Sequence, residues 1–317
     1  MDIFQMGNAL AQNTGLRIEH GVSLKKYTSL HIGGPAALFA TVHTLPQAQA
    51  LLSAAHELSL PVLLLGGGTN LLISDEGYEG LAVSLRFAGC AIADDGLSVT
   101  VGASVPAAAL VDHLVHAGRQ GLEFAAGLPG TVGGAIAGNA GCFGSSFGEH
   151  LQRATVLDAQ GNLLEITDPA WFRFAYRHSR LSEELALIVD ATFQLQDGDT
   201  AELCQTAQSH CHTRRTKHPG KHIRTAGSYF KNLPPKNPGE WRRPAGALLD
   251  QVGAKQLHVG DAAVFEKHAN IFINRQNASA KDVLQLEALL QARVYDAFGE
   301  RLEPEVRFVG RRPHHRR

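Results

Sequence analysis

Glycine is concentrated in one nearly uncharged stretch of the chain, residues 121–144, which reads GLEFAAGLPGTVGGAIAGNAGCFG. Glycine loses more conformational entropy on folding than any other residue, so this density is costly unless the backbone needs it. The need arises where a chain turns sharply or where its backbone lies directly against a ligand. We call residues 121–144 the long glycine stretch, and we predict one of these two arrangements for it.

A second cluster, GGG at residues 66–68, directly follows an apolar strand-like segment in LLLGGGTNLLI. Consecutive backbone N–H groups without side chains can surround a phosphate. A Rossmann turn is disfavoured, because that motif continues into a helix with an acidic residue about 20 positions on, whereas LLIS continues as a strand. The lysine of a Walker motif is also missing. By itself, this GGG turn favours a tight connection between two strands.

Two glycine-rich segments in one domain favour a ligand site over two independent turns. The GGG turn with Thr69 and Asn70, and the long glycine stretch with Thr131 and Asn139, then line two sides of an extended ligand that carries a pyrophosphate. The glycines of the long stretch that enter this interpretation are Gly127, Gly130, Gly133, Gly134, Gly138 and Gly141.

The length and charge of the chain limit the classes of protein to which it can belong. The 317 residues favour about two domains, and a formal net charge of −1 gives no general attraction to nucleic acid or to an anionic membrane. The N-terminus has no basic segment followed by an apolar run, and no apolar run approaches the ~18 residues that cross a bilayer. Four cysteines are too few for a disulfide scaffold, so we expect a cytoplasmic protein.

A cluster of cysteine and histidine in ELCQTAQSHCHTRR has two interpretations. Cys204, His210, Cys211 and His212 are residue types that bind metals. Their spacing matches no known zinc motif, and Cys204 and Cys211 are seven residues apart on a helical pattern, which places them on one face. We therefore favour two half-buried thiols and predict no metal site.

Helical and strand-like patterns mix along the chain without strict alternation, which favours an α+β fold. Ser279 and Asp282 have the spacing of a capping box, and the basic run at 214–224 is predicted as a loop. The predicted helices cover 46–60, 105–118, a segment through Cys211, 244–253 and 279–299. The predicted strands cover 61–66, 81–86, 97–103, 185–195 and 302–310, and residues 154–167 are predicted as a hairpin around 160–161.

Six segments occur in the order found in one enzyme family. They are PVLLLGGGTNLLI, GLPGTVGGAIAGNAG, YRHS, AGSYFKN, EKHAN and PEVRFVG. On these motifs the chain, from about Ser23 to Gly310, resembles the UDP-N-acetylenolpyruvoylglucosamine reductase family. The resemblance implies an FAD-binding domain of the PCMH or vanillyl-alcohol-oxidase type with two lobes, followed by an α+β substrate-binding domain. The expected ranges are 1–22 for an N-terminal extension, 23–197 for the FAD-binding domain (lobes about 23–86 and 87–197), 198–310 for the substrate-binding domain and 311–317 for a basic tail.

The resemblance also implies the reaction. Non-covalently bound FAD, reduced by NADPH, would convert UDP-N-acetylglucosamine enolpyruvate to UDP-N-acetylmuramate for peptidoglycan synthesis. Negative charge that develops beside the substrate carboxylate requires cationic donors, because stabilising such charge is usually the largest catalytic contribution. The carbon that receives this charge also requires a proton donor.

Three positions match the catalytic residues of the family. The resemblance implies that Ser228 donates the proton, that Arg177 binds the substrate carboxylate, and that Glu305 assists proton delivery or stabilises the enol form. Without the resemblance, Ser228 is more simply a turn residue that bonds backbone, Arg177 an exposed arginine and Glu305 the solvated side of an edge strand. If residues 305–309 form a strand, Glu305 and Arg307 share a face.

Binding residues are implied in the same way. Arg214 matches a contact to FAD, and Lys217 and Asn232 match contacts to the UDP portion, while Lys231 lies three residues after Ser228, close enough to favour a transient alkoxide. The expected cofactor-binding residues are Gly66, Gly67, Gly68, Thr69, Asn70, Leu71, Gly130, Thr131, Gly133, Gly134, Ile136, Asn139 and Arg214. The expected substrate-binding residues are Tyr176, Lys217, Lys231 and Asn232.

The chain departs from the family pattern in several places. Leu233 and Phe265 stand where the family usually has Pro and Ser, and Ile271 stands where it usually has Phe. The segment 196–214 is too short for the tyrosine-bearing loop of some members, so the chain resembles the subtype without that loop. His268 and Asn270 are expected near the substrate without an assigned role.

Two other functions stay open on sequence grounds. One is a different FAD-dependent oxidoreductase of the same fold, and the other is a non-catalytic nucleotide-binding module. The motifs AGSYFKN and PEVRFVG favour the reductase over the first, and the joint presence of Ser228, Arg177 and Glu305 favours it over the second. A monomer is expected.

Overall fold

The computed structural model of the chain describes residues 1–220 and 222–312, which form two compact units. Both units are assembled from stretches that are far apart in sequence. The predicted domain ranges stay a proposal, and most of the predicted basic tail, 313–317, lies outside the described residues. The first unit contains Met1–Val22, Ala36–Gly67 and Glu79–Arg214, and the second contains Ser23–Pro35, Gly68–Tyr78 and Arg215–Arg317.

Two sheets form the framework of the first unit. The strands of the four-stranded sheet lie in the order Glu19–Ser23, Pro35–Val42, Tyr78–Leu85 and Val62–Leu65, and the last two pair in parallel. The strands of the five-stranded antiparallel sheet lie in the order Leu163–Ile166, Leu151–Leu157, Leu187–Gln194, Ser98–Gly102 and Cys90–Ile92. Two-residue strands also pair, Arg119–Gln120 with Gln196–Asp197 and Gly141–Cys142 with Ser145–Ser146.

Helices cover these sheets with apolar faces. Leu45–Glu57 begins at Thr44, whose hydroxyl accepts a hydrogen bond from the Gln47 N–H. It packs its buried leucines and alanines against the four-stranded sheet, and Ala107–His116 lies in the same apolar cluster as the five-stranded sheet. The remaining helices of this unit are Ile3–Thr14, Val132–Ala137 and Phe147–His150, and Thr200–Lys217 begins here and ends in the second unit.

The second unit is built on a four-stranded antiparallel sheet. Its strands lie in the order Arg224–Ser228, His268–Asn274, Ala262–Phe265 and His258–Val259. A separate parallel pair joins Leu71–Ile73 to Arg307–Val309. The helices Ala245–Gln251 and Ala280–Phe298 pack into the same apolar cluster as the sheet. Short 3₁₀ turns across both units cover Leu24–Tyr27, Glu123–Ala125, Pro169–Phe172, Arg180–Ser182 and Ala254–Gln256.

The start of the helix Ala280–Phe298 is capped from within the unit by two carboxylates and a hydroxyl. Ser279 and Asp282 form the predicted capping box, with reciprocal bonds of 3.0 and 2.9 Å. Asp75 adds a second cap, because its carboxylate accepts from the N–H groups of Ala280 at 2.8 Å and Lys281 at 3.1 Å. The otherwise unpaired first N–H groups of the helix are therefore satisfied, and negative charge sits at its positive end.

Most of the predicted helices and strands are confirmed. The helices predicted at 46–60, 105–118, 244–253 and 279–299 and the strands predicted at 61–66, 81–86, 97–103 and 185–195 agree with the structure to within a few residues at each end. The hairpin is also confirmed, because Leu151–Leu157 pairs antiparallel with Leu163–Ile166 on either side of the predicted turn.

Two predictions are wrong. The basic run is not a loop throughout, because the helix Thr200–Lys217 includes its first four residues and ends only where Pro219 approaches. The C-terminal strand is shorter than 302–310 and covers only Arg307–Val309, so Glu305 and Arg307 do not share a strand face. The strand starts late because Pro304 has no N–H and because the N–H of Glu305 is bonded to the distant Tyr229 carbonyl.

No helix among the described residues is long and apolar enough to cross a membrane.

The Asp75 cap gives a test of the second unit. We expect Asp75→Ala to lower the free energy of unfolding by about 2 kcal/mol, because two N–H groups of the helix lose a charged acceptor. Urea-induced unfolding followed by circular dichroism measures this loss. Glu76→Ala, at the adjacent exposed carboxylate, is the matched control and should change stability by less than about 0.5 kcal/mol. Equal losses in the two variants would contradict the capping role.

Candidate functional site

Within the first unit, Gly66 and Gly67 of the GGG turn meet the long glycine stretch. A Cβ atom on Gly67 would lie 2.9 Å from the Gly130 Cα, and one on Gly66 would lie 2.8 Å from the Thr131 hydroxyl oxygen. At Gly67 the neighbour is backbone, so only glycine lets the two segments approach there, whereas at Gly66 the neighbour is a side-chain hydroxyl. The predicted convergence of Gly66 and Gly67 with Gly130 and Thr131 is therefore present in the fold.

Part of the long glycine stretch is a helix rather than a turn. Thr131 caps the short helix Val132–Ala137, and its hydroxyl accepts from the Gly134 N–H at 3.3 Å. Gly133 donates its N–H to the Ala103 carbonyl at 2.9 Å, and a Cβ there would lie 2.8 Å from the Ala103 Cβ. Ile136 is fully buried. Gly133 and Ile136 thus serve packing, and their predicted contacts with a cofactor stay predictions.

Arg214 has the features expected of an anion-binding side chain. Its Nη2 donates to the Cys142 sulfur at 2.7 Å, and its guanidinium carbon lies 5.7 Å from the centre of the Phe143 ring. Its Nε is buried, and among the described residues it has no hydrogen-bond partner. A buried N–H without a partner is costly, so the side chain is held here by its other contacts, and a guanidinium is suited to the oxygens of a phosphate. The close glycine backbones and the charge of this guanidinium fit the pyrophosphate of the predicted FAD.

Arg177 occupies a strained turn. Ala175 and His178 exchange backbone hydrogen bonds, so Tyr176 and Arg177 form the two central residues of a tight turn, and Arg177 has a φ of 53°. Such a conformation costs a non-glycine residue about 1–3 kcal/mol. The Arg177 Nη2 donates to the Gly141 carbonyl at 2.9 Å, and its guanidinium lies 5.2 Å from the Tyr176 ring centre. The turn therefore presents Arg177 beside the long glycine stretch.

Asn139 connects this turn to the long glycine stretch. Its amide donates to the Ala175 carbonyl at 2.9 Å and accepts from the Gly148 N–H at 3.0 Å. The side chain is buried, and its φ is 41°. Asn139 thus positions the turn of Arg177, and its predicted contact with FAD stays a prediction.

Ser228 stands at the end of a distorted strand in the second unit. The strand Arg224–Ser228 pairs with His268–Asn274, and its register shifts between Thr225 and Ser228. Gly227 has a φ of 81°, which an L side chain rarely adopts, and its N–H donates to the Thr225 hydroxyl. The irregularity changes the direction of Ser228 relative to a regular strand, as bulges near active sites commonly do.

Asn270 holds the backbone that follows Ser228. Its carbonyl accepts from the Tyr229 N–H at 2.8 Å, while its side-chain amide accepts from the Phe230 N–H at 2.9 Å and donates to the Phe230 carbonyl at 2.8 Å. The Tyr229 hydroxyl donates to the buried Glu287 carboxylate at 2.6 Å. Burial, and then Glu287, raise the pKa of Tyr229, so it remains a donor. Hydrogen bonds with Asn270 and Glu287 therefore hold the backbone of residues 229 and 230 and the side chain of Tyr229.

The backbone of Glu305 is bonded to that of Tyr229, the residue after Ser228. Its N–H donates to the carbonyl of Tyr229 at 2.7 Å, and Phe230 bridges to Pro304. The Asn70 side chain donates to the Glu305 carbonyl at 3.0 Å. Two predicted catalytic residues and one predicted cofactor-binding residue of the second unit thus lie on adjoining segments. Arg177 belongs to the first unit.

The predicted substrate-binding residues of the second unit differ in what they contact. The Lys231 ammonium pairs with the Glu303 carboxylate at 2.6 Å, so its charge is shared. The side-chain oxygen of Asn232 accepts from the Ala245 N–H at 3.2 Å. Lys217 ends its helix and is exposed. Their predicted contacts with the substrate stay predictions.

The departures from the family pattern lie in the core of the second unit. Leu233, Phe265 and Ile271 are all buried. The Leu233 N–H donates to the Arg243 carbonyl at 2.9 Å, a bond that proline cannot make. Leucine at position 233 therefore allows a backbone hydrogen bond to residue 243 that the usual proline would prevent.

His268 is a neutral acceptor. Burial lowers the pKa of its imidazole, and the charges of Lys217 and Lys255 lower it further. Its Nδ1 lies 3.2 Å from the Asn270 N–H, which donates to it, and its ring lies 5.6 Å from that of His218. His268 thus orients Asn270, which in turn holds the backbone after Ser228.

The cysteine and histidine cluster is a pair of thiols. Cys204 and Cys211 are both half-buried, as predicted, and they pack against the apolar cluster of the first unit. The described residues contain no group of three or more histidine, cysteine, aspartate or glutamate side chains that could hold a metal ion.

Asn270 was expected near the substrate but without a role, although a polar residue within an apolar strand pattern is itself a signal of one. Two other residues near the site were not predicted. Cys142 and Phe143, which contact Arg214, are the larger side chains near the end of the long glycine stretch. Their size among so many glycines was the available signal.

Comparisons with known proteins agree with this arrangement. Residues 218–309 match the family described as "UDP-N-acetylenolpyruvoylglucosamine reductase, C-terminal domain", and residues 36–167 match the family described as "FAD binding domain". "UDP-N-acetylenolpyruvoylglucosamine reductase 2" of Symbiobacterium thermophilum is 39% identical over 297 residues, with 94% of each chain covered. The reductase of Solibacter usitatus is 36% identical over 315 residues, covering 95% of this chain and 99% of that one.

A solved structure gives the same result. The chain is similar to the crystal structure of UDP-N-acetylenolpyruvylglucosamine reductase from Thermus caldophilus, with a TM-score of 0.76 and 31% identity. The match covers 93% of this chain and 100% of the other. The fold is therefore α+β with an FAD-binding domain of the expected type, as predicted.

The close approach of the glycine backbones gives a direct test. We expect Gly67→Ala to reduce FAD binding at least tenfold, because its Cβ would push against the Gly130 backbone. Flavin absorbance per protein after gel filtration, together with titration of the apoprotein, measures this loss. Gly138→Ala is the matched control, since its φ is −91° and the nearest atom to its Cβ lies at 3.6 Å. Equal FAD affinity in the two variants would count against the role of this contact.

Proposed function

Because this chain belongs to the UDP-N-acetylenolpyruvoylglucosamine reductase family, we propose that Ser228, Arg177 and Glu305 carry its reaction. The enzyme reduces UDP-N-acetylglucosamine enolpyruvate to UDP-N-acetylmuramate, a step of peptidoglycan precursor synthesis. Bound FAD supplies the hydride chemistry, with NADPH as the source of the hydride. The protein supplies binding, orientation and a proton, and the assignments below concern these contributions.

FAD would be held by the two glycine-rich segments and by Arg214. Backbone at Gly66, Gly67 and Gly130 can approach a pyrophosphate closely because no side chains intervene. The Arg214 guanidinium supplies charged donors. The other proposed contacts are Gly68, Thr69, Asn70, Leu71, Thr131, Gly133, Gly134, Ile136 and Asn139.

Arg177 would bind the carboxylate of the substrate, flanked by Tyr176. A guanidinium binds a carboxylate through two parallel N–H donors, and it stabilises the negative charge that spreads into the carboxylate during reduction. Its tight turn and its bond to the Gly141 carbonyl fix the side chain before the substrate arrives. An already oriented donor costs no reorganisation at the moment of reaction.

Ser228 would deliver the proton to the substrate carbon. A serine hydroxyl is a weak acid, but the carbanion that forms next to a carboxylate is a strong base, so the transfer is favourable. Glu305 lies on the adjoining segment and would assist delivery or stabilise the enol form. Lys217, Lys231 and Asn232 would contact the rest of the substrate, and they complete the set proposed for it.

One observation supports this assignment most strongly. The Glu305 N–H donates to the carbonyl of Tyr229, the residue after Ser228, at 2.7 Å. Residues 76 positions apart in sequence are thereby bonded within the second unit, and the Asn270 side chain bonds the next residue, Phe230. Such support is what a positioned proton donor requires.

The test of the function follows flavin and substrate separately. NADPH should bleach the bound flavin, and UDP-N-acetylglucosamine enolpyruvate should restore its colour in the absence of oxygen. Steady NADPH consumption should require that substrate. A colourless protein that takes up no FAD, or equal NADPH consumption with oxygen alone, would refute the proposal.

Ser228→Ala separates the proton donor from the rest of the site. We expect it to slow flavin reoxidation by the substrate by about 10²–10⁴-fold, because a general acid contributes about that much. Flavin reduction by NADPH should stay close to that of the unaltered enzyme, since Ser228 takes no part in it. Stopped-flow absorbance measures both half-reactions on one sample. Equal loss of both would indicate a structural role instead.

Arg177→Gly removes the guanidinium and leaves the turn intact, since glycine adopts a φ of 53° readily. We expect kcat/KM for the enolpyruvyl substrate to fall by about 10²–10³-fold, as for loss of one stabilising donor. Arg173→Gly is the matched control, because Arg173 is exposed and has a φ of 49°. Steady-state kinetics measures both variants, and a comparable loss in the control would contradict the assignment.

A further inference from the structure

The Arg214 side chain is packed on several sides by other residues of the first unit. A Cβ on Gly127 would lie 3.4 Å from the Arg214 Cδ, so the Gly127 backbone closes over the aliphatic stem. The Phe143 ring lies beside the guanidinium and stacks on the His210 ring at 3.9 Å. These contacts limit the rotation of the side chain.

Cys142 makes the one hydrogen bond that the structure records for the Arg214 guanidinium among the described residues. The Cys142 sulfur accepts from the Arg214 Nη2 at 2.7 Å and donates to the Phe124 carbonyl at 2.9 Å. The thiol therefore links Arg214 to the 3₁₀ turn Glu123–Ala125, which is part of the apolar cluster of the first unit. Through this link, the position of the guanidinium is set by the core.

The thiol is suited to this position because it is neutral. Burial raises the pKa of Cys142, and this effect outweighs the opposing effects of Arg214 and Arg177. A carboxylate in the same place would pair with Arg214 and cancel its charge. A neutral thiol accepts one N–H and leaves the full positive charge for another anion.

We propose that Cys142 is a positioning residue of the flavin site, whose thiol holds the Arg214 guanidinium in the orientation that binds FAD. The inference rests on the proposed role of Arg214 in FAD binding. It adds a residue that contacts no substrate and acts through another side chain. The orientation of Arg214 is then set before FAD arrives, which strengthens binding because less freedom is lost.

A double-mutant cycle on apoprotein tests the link. FAD dissociation constants would be measured by quenching of flavin fluorescence for the unaltered protein, Cys142→Ala, Arg214→Ala and the double variant. We expect Arg214→Ala to weaken binding about 100-fold and Cys142→Ala about tenfold, the latter corresponding to 1.4 kcal/mol. The double variant should bind no more weakly than Arg214→Ala alone, because the thiol acts only through the arginine.

Two further variants separate positioning from general packing. Cys142→Ser keeps one donor and one acceptor, so we expect it to restore FAD affinity to within about threefold of the unaltered protein. Cys204→Ala removes a half-buried thiol elsewhere in the same unit, and it should leave FAD affinity unchanged. Thermal unfolding of each apoprotein establishes that the variants fold.

The outcomes are distinguishable. Unchanged FAD affinity in Cys142→Ala, additive losses in the double variant, or the same loss in Cys204→Ala would each overturn the role of Cys142 while leaving the reductase function intact. Failure of the unaltered protein to bind FAD at all would overturn the proposed function as well.

Discussion

The arrangement of the first unit depends on one close contact between two backbones. Gly67 lies against the Gly130 backbone at a distance that leaves no room for a side chain, and Gly66 lies beside the Thr131 hydroxyl. The position of Thr131 sets the start of the helix Val132–Ala137, and the N–H of Gly133 then reaches the strand that ends near Ala103. Gly130 and Gly133 of the long glycine stretch are therefore explained by packing within the protein, whether or not they also contact a ligand.

The second unit depends instead on a single buried amide. Asn270 bonds both backbone groups of Phe230 through its side chain and the N–H of Tyr229 through its carbonyl. An amide with a donor and an acceptor can satisfy both groups of one residue, which an apolar side chain of the same size cannot. Asn270 therefore also limits the movement of Ser228 and Glu305, because both adjoin the residues that it bonds.

The sequence predicted the periodic parts of this protein, while the roles of the residues within its motifs stay predictions. Leu45–Glu57 and Ala280–Phe298 were predictable because their apolar spacing and caps are local. The extension of Thr200–Lys217 into the basic run and the short strand Arg307–Val309 were not, because each is decided by distant partners or by a proline. The contacts of Cys142 with Arg214 and of Asp75 with Ala280 join residues 72 and 205 positions apart, and no local pattern encodes such pairs.

The parallel pairing of Leu71–Ile73 with Arg307–Val309 has a consequence for how the protein is made. Ribosomes add about 5–20 residues per second, so the early strand waits on the order of ten seconds or more before its partner is synthesised. During that interval a short apolar edge is exposed to other nascent chains and to chaperones. Loss of the last strand through premature termination would leave this edge permanently uncovered, and such truncated products should be selectively insoluble.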